Sequence, residues 1–240
     1  MALLDRVAYI SPAGVQNAAG ETPEAIVAPG SIISIYGESL AEEAEVGPIN
    51  PLAQTVGSLV VKFQDRLLPL YFVSPAQVNA LLPSDIPDGD YSLAVVTSRG
   101  ETVSADLKVA RNAPGLFTRI IEDRTVALAT RADGLPVAPG TPARRGELIT
   151  LLGTGFGPYD QTPIDGFPVP KDPEYKLVDP VEILAGDSVY IPDWTGAAVG
   201  YSGLVELRFR IPDAWASGAA VDIAVRMGER MSNTVTLIVE

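Results

Sequence analysis

The sequence contains neither cysteine nor histidine. Without cysteine there is no disulfide, thiolate nucleophile, iron–sulfur ligand or zinc knuckle. Without histidine the commonest general base near neutral pH and the commonest transition-metal ligand are gone, and a Ser-His-Asp triad cannot be built. Chemistry is left to carboxylates, Lys, Tyr and hard metal ions. Long apolar runs are missing too, since no stretch approaches the ~20 residues needed to cross a bilayer. Basic residues are scarce, 17 against 30 acidic ones, for a formal net charge of −13. That field repels phosphate backbones and anionic lipid, so neither nucleic-acid nor membrane-surface binding is expected, and without a long apolar run no membrane insertion is expected. Acidity of this kind keeps an exposed protein soluble. Met1-Ala2-Leu3-Leu4-Asp5-Arg6 has no apolar core of signal length, so no secretory leader is read there.

What the chain has is alternation. Val103, Ala105, Leu107 and Val109 alternate with Thr102, Ser104, Asp106 and Lys108. Val205–Ile211 and Val221–Met227 do the same, and Ser31–Tyr36, Leu59–Phe63, Tyr91–Thr97, Leu148–Leu152 and Val235–Val239 do so more weakly. Period two with one apolar face is the pattern of a half-buried antiparallel strand. Gly and Pro punctuate these runs, as in Pro87-Asp88-Gly89-Asp90 and Ser98-Arg99-Gly100, which supply turn geometry. No long segment has a 3.6-residue period; short helical turns are expected near Ser74–Asn79 and Asp213–Ala216. Many short strands joined by turns mean a sandwich or a barrel.

The chain also repeats itself. Pro29–Gly37 is similar to Arg145–Gly153, and Val78–Pro83 to Leu207–Pro212, each followed by a Gly turn, an alternating strand, a second Gly turn and a last strand. At 240 residues there is room for two domains of ordinary size. The expected fold is all-β, two tandem β-sandwich domains of about seven strands each. They divide as 1–112 and 113–240, the second carrying a longer Pro- and Asp-rich loop at 160–180. The predicted cores are built on Ile33, Ile35, Val61, Phe63, Leu93, Val95 and Leu107 in the first and Leu207, Phe209, Ile223 and Val225 in the second.

Five segments resemble a known family. Val15–Ala19, Ala28–Gly37, Val73–Pro83, Ala113–Phe117 and Ser232–Thr236 are similar, in order and spacing, to parts of the uncharacterised C-terminal domain carried by many secreted proteins of acidobacteria, which is akin to the IPT/TIG immunoglobulin-like domains. The match runs through nearly the whole chain and is loosest over Asp160–Pro180 and Tyr190–Trp194. The resemblance implies an extracellular or cell-envelope setting and a fold of two tandem immunoglobulin-like β-sandwich domains. It implies no reaction and no cofactor, because the family has no established catalytic residues to carry over. Members usually end a longer chain, so a fragment or a small stand-alone protein is expected.

Candidate chemistry is sparse. Asp85, Asp88 and Asp90 crowd one turn and are a weak calcium candidate. The EF-hand spacing is absent, and Asp in turns also serves local hydrogen bonding. Asp160, Asp165, Asp172 and Asp179 punctuate the long loop; two carboxylates across a cleft can hydrolyse glycosides, but solvated loop charge is the plainer reading. Tyr190, Trp194 and Tyr201 cluster around a Gly-containing loop, with Trp215 in a separate turn. Such aromatics stack on sugars or anchor a protein, or else plug the end of a core. Gly153-Thr154-Gly155-Phe156-Gly157 has the look of a phosphate loop, yet it lacks the Lys and the following helix and reads as the turn after a strand. The loop Glu38–Gln54, with Glu42, Glu43 and Glu45, reads as solvated loop or short helix.

The function expected is therefore non-catalytic: a structural, adhesion or surface-assembly module whose partners are proteins, including copies of itself, or extracellular glycans. Carbohydrate binding through the second-domain aromatics, with or without calcium, is the alternative, and a carboxylate-dependent glycosidase is third. Open sheet edges recruit other chains by strand addition, and Arg6–Ser11 is a candidate donor strand, with intramolecular pairing its more ordinary fate.

Overall fold

The computed structural model describes residues 7–20 and 25–240. Met1–Arg6, which includes the leader reading and the first residue of the donor strand, lies outside the described residues. Among the described residues there is no helix, and none that is long and apolar enough to cross a membrane.

The chain folds as two tandem immunoglobulin-like sandwiches. In the first, sheet I runs in the order Tyr9–Asn17, Ile32–Glu38, Gln77–Leu81, Leu70–Val73, Glu45–Val46. Sheet II runs Ile26–Val27, Thr102–Val109, Gly89–Val96, Val60–Phe63, Arg66–Leu67. In the second sandwich, sheet III runs Gly115–Leu116, Leu148–Thr154, Val205–Arg210, Trp194–Ala197, with Ala129–Arg131 also paired to Leu148–Thr154. Sheet IV runs Ser188–Tyr190, Glu182–Ala185, Ala220–Met227, Arg230–Met231, with Val235–Ile238 also on Ala220–Met227. Thr118–Ile121 and Arg124–Ala127 make a separate hairpin.

The internal repeat is a repeat of topology. Ile32–Glu38 pairs antiparallel with Gln77–Leu81, and its counterpart Leu148–Thr154 pairs antiparallel with Val205–Arg210. Val60–Phe63 pairs with Gly89–Val96 as Glu182–Ala185 pairs with Ala220–Met227. The alternating residues face inward as the period demands. Phe63, Ile33, Ile35, Val61 and Val95 are fully buried in one core, and Leu207 and Val225, with Phe209 almost so, in the other. Burying each such side chain favours the fold by ~1.5–3 kcal/mol, which is why a sheet that is apolar on one face needs a second sheet over it.

Three expectations change. Each sandwich has more than seven strands, because short edge pieces such as Glu45–Val46 and Arg66–Leu67 are added to the main ladders. Ser74–Asn79 is no helical turn: Gln77–Leu81 is already a strand, and the Ser74 hydroxyl, bonded by the amides of Ala76 and Gln77, makes the corner between strands. Asp213–Ala216 is a plain turn closed by the Trp215 amide on Pro212 O. In both places Pro and Ser favour a local hydroxyl or carbonyl acceptor over a helical one. Val7–Ser11 is spoken for as well, since Tyr9 and Ile10 pair with Glu38 and Gly37 in sheet I.

Candidate functional site

Two places on the molecule concentrate polar chemistry: the joint between the sandwiches and a groove on the second. Of the six buried polar residues among those described, Asn17, Thr154 and Ser202 are at the joint. Asn17, at the end of its strand and 2% exposed, donates through Nδ2 to Ala113 O (2.7 Å) and Thr154 O (3.2 Å) and accepts the Ala19 amide (2.8 Å) on Oδ1. Its amide sits between Gly115 and Gly155. A Cβ on Gly155, where φ is +84°, would meet Ala113 O at 2.2 Å and Asn17 Nδ2 at 2.6 Å, so only glycine admits this approach. Asn233 mirrors the arrangement, accepting the Leu116 amide and donating to Leu116 O (both 2.9 Å) and to Ala19 O (3.3 Å).

Thr154 continues the seam. Its hydroxyl accepts the Ile32 amide (3.0 Å) and donates to Gly203 O (2.6 Å). The Tyr71 hydroxyl donates to Ser202 O; burial pushes that hydroxyl up to about 12, so it stays protonated near neutral pH. Around these bonds Ile32, Leu52 and Leu81 of the first sandwich pack with Phe117 and Leu204 of the second. The joint is thus made like a protein interior, with apolar contact and satisfied polar groups.

The long loop 160–180 is not simply solvated. The Leu52 amide bonds Gly166 O (2.7 Å), and the Ser84 amide bonds Asp165 Oδ2 (2.9 Å), so the loop clasps the first sandwich. Burial holds the Asp165 carboxyl above its usual range. Asp179 takes a bidentate pair from Arg111 (2.8 and 2.9 Å) and a bond from Asn112, and the Arg111 bond holds its carboxyl below the usual range. Asp160 accepts the Lys176 amide (3.0 Å); Asp172 is exposed. The solvated-charge reading is therefore corrected for Asp165 and Asp179, whose partners lie too far away in the chain to be read from local sequence.

The same loop roofs a groove. On the outer face of sheet III the register aligns Thr130, Thr150, Arg208 and Trp194 in one row and Leu152, Glu206 and Gly196 in the next. Tyr175 O accepts the Ala197 amide and the Leu177 amide donates to Thr195 O, with Lys176 opposite Gly196, so the loop covers the edge of the strand Trp194–Ala197. A Cβ on Gly196 would strike Tyr175 O at 2.3 Å and the Trp194 ring at 2.6 Å; glycine there leaves room for both the loop backbone and the indole to approach the strand. Between loop and sheet lies a cavity of 520 Å³ whose lining includes Trp194, Tyr175, Tyr201, Glu206 and Arg208. The Arg208 guanidinium stacks 4.3 Å from the Trp194 centroid and is bonded to Glu206 at 3.0 Å.

The three predicted aromatics separate. Trp194 and Tyr201 both line the groove. Tyr190 turns to the core instead, edge-on to Trp215 (5.7 Å) and Phe209 (5.8 Å), and accepts the Trp215 Nε1 proton at 3.0 Å. Sequence reasoning missed Tyr175, which sits in the segment where the repeat breaks down, and it missed Asn17, Thr154 and Asn233. The available signal was that Asn17 and Asn233 lie in two of the family-like segments and that Thr154 lies between two glycines. Gly153–Gly157 is more than a turn, because it carries Thr154 and Gly155 into the joint. Asp85, Asp88 and Asp90 do not converge: Asp85 pairs with Arg66, and Asp90 lies opposite Lys108 on sheet II. Among the described residues no three acidic side chains gather for a metal ion. In the loop Glu38–Gln54, Glu45 is part of a two-residue strand paired with Leu70–Val73.

No family model matches the chain, and no curated protein matches it. Several solved structures are loosely similar. One is the Bacteroides ovatus mixed-linkage glucan utilization locus protein SGBP-B in complex with a mixed-linkage heptasaccharide, at 13% identity and a TM-score of 0.35, with 91% of this chain and 45% of that one covered. Another is the surface glycan-binding protein PbSGBP-B of Prevotella bryantii, at 15% identity and a TM-score of 0.29, with 94% and 41% covered. The chain therefore spans less than half the length of either. The tandem Ig repeats of Dlar match at 12% identity and a TM-score of 0.23, with 98% of both chains covered.

Proposed function

We propose that this chain is a non-catalytic module of the cell exterior or envelope, divided into domains 1–112 and 113–240, whose two sandwiches act as one stiff unit in adhesion or surface assembly. The observation that carries the reading is the joint. Independent domains on a flexible tether meet through small polar surfaces. Here buried Asn17 and Thr154 are bonded to backbone across the boundary, and a loop from the second sandwich grips Leu52 and Ser84 of the first. A stiff pair transmits force and sets a fixed spacing, which a surface component needs. Its partners are other proteins, including copies of itself, or extracellular glycans.

The resemblance to the acidobacterial domain family supports the same reading, because its segments Val15–Ala19, Ala113–Phe117 and Ser232–Thr236 supply Asn17, Ala113, Leu116, Phe117 and Asn233 of the joint. Small-angle X-ray scattering tests it. One rigid arrangement of the two sandwiches should fit the curve, and Asn17→Ala should broaden the distance distribution. A wild-type curve that requires many interdomain orientations would refute the stiff-unit reading. Light scattering across concentration then separates self-assembly, seen as rising mass, from a monomeric spacer.

A further inference from the structure

We propose that the groove between sheet III and the loop 160–180 binds a neutral, extended glycan, with Trp194 and Tyr201 as its stacking platforms. The inference stands apart from the stiffness of the joint: the loop 160–180 serves both, but the side chains that line the groove make none of the bonds across the joint. Its volume of 520 Å³ falls within the range of small-ligand sites and holds about two or three pyranose rings. The lining combines two chemistries. Trp194, Tyr175 and the exposed Tyr201 offer aromatic faces, while Thr130, Thr150, Glu206 and Arg208 offer hydroxyl, carboxylate and guanidinium groups.

A pyranose matches both halves. Its CH faces stack on aromatic rings, and its hydroxyls donate to Glu206 and Thr oxygens while accepting from Arg208. A purely apolar ligand would strip water from those polar groups without replacing their bonds, which costs free energy. Charge selects further. The two cations of the lining, Lys171 and Arg208, are matched by two carboxylates, Glu174 and Glu206, the latter bonded to Arg208, so the groove carries no net positive charge for an anionic sugar, and the chain's net charge of −13 repels one. One indole donor points the same way: Trp194 Nε1 is buried with no acceptor, whereas Trp215 Nε1 has Tyr190. A sugar oxygen entering beside the ring would satisfy it.

The test is a fluorescence and calorimetric titration of the full chain with Trp215 replaced by Phe, so that emission reports on Trp194 alone. The probes are cellohexaose, laminarihexaose, xylohexaose and maltohexaose as neutral glycans, and oligogalacturonate as an anionic one. The proposal expects a saturable change in Trp194 emission with at least one neutral probe and none with oligogalacturonate. Tyr201→Ala should weaken that binding by about tenfold or more, as loss of a central aromatic anchor does, with an unchanged near-ultraviolet dichroism spectrum. Because Trp215→Phe removes the Tyr190 bond and can disturb the core, calorimetry on the wild-type chain must give the same ranking of probes. No saturable binding of any neutral probe to folded wild-type protein overturns the proposal, as does preference for oligogalacturonate or equal affinity in Tyr201→Ala. Release of reducing ends from a probe, abolished by Glu174→Gln or Glu206→Gln, would overturn it in favour of a hydrolytic site.

Discussion

Ser34 and Asn79 in the first sandwich occupy the places of Thr150 and Arg208 in the second, and both pairs lie directly across the same strand ladder. On sheet I the pair closes on itself: the Ser34 hydroxyl donates to Asn79 Oδ1 (3.0 Å), and Gln77 Nε2 bonds both (3.2 and 2.8 Å). The rest of that face, at Ile32 and Leu81, is covered by Phe117 and Leu204 of the neighbouring sandwich. On sheet III the positions equivalent to Asn79 and Gln77 are Arg208 and Glu206, beside Trp194, and an inserted loop stands off the sheet instead of sealing it. One topology thus uses the same outer face twice, once for the joint and once for a groove. The two uses differ at outward positions and in the inserted loop, because inward residues set the fold and outward ones are free to change.

That contrast can be broken in several ways. The largest effect is expected in the cores: Phe63→Ala and Phe209→Ala should each cost roughly 3–5 kcal/mol. If the joint couples the sandwiches, either variant lowers a single denaturation midpoint measured by urea unfolding. Two separated transitions in the parent protein would mean the joint is weak. Next, Asn17→Ala leaves the Ala113 carbonyl and the Ala19 amide without their buried partner, at a cost of roughly 1–3 kcal/mol for each group that water cannot reach. It should split the unfolding curve where the core variants only shift it.

Acid sharpens the comparison of the two carboxylates that anchor the loop. Asp179 is held below its usual range, so its contribution is present above the unfolded value of about 3.9 and is lost as pH falls through the lower folded value. Asp165 is held above its usual range, so its contribution is full below about 3.9 and is lost as pH rises through the higher folded value. Asp179→Asn should therefore destabilise at neutral pH and flatten the acid limb of the stability profile. Asp165→Asn should leave neutral stability level or improve it while removing the gain on the acid side. Thermal melts from pH 3 to pH 7 decide both, and opposite signs would refute the assignment. Smallest of all, Arg66→Ala removes an exposed pair with Asp85 and should not move the melting curve, as exposed ion pairs contribute little.

Alternation and turns made much of the fold legible. All eleven residues assigned to the cores are buried, from Ile33 and Phe63 to Phe209 and Val225. The weaker strands are also found within a residue or two of their expected ends, as with Val60–Phe63 and Val235–Ile238. The candidate site was read only in part. Trp194 and Tyr201 share the groove, but Tyr190 is an aromatic of the core, and nothing in a stretch of twelve residues distinguishes the two fates. Tyr190 and Trp194 lie on different sheets, separated by a short connection that turns one ring inward and the other out.

What the sequence determined by itself is whatever depends on neighbours in the chain: the period of two, the Gly and Pro corners, the repeated order of strands, and the absence of histidine and cysteine chemistry. What only the tertiary structure decided depends on residues brought together from far apart. Asn17 and Ala113, 96 positions away, are one example, and Tyr71 with Ser202, 131 positions away, is another. No local pattern encodes such pairs, because their stability comes from burying two sandwiches against each other, and that burial exists only once both have folded.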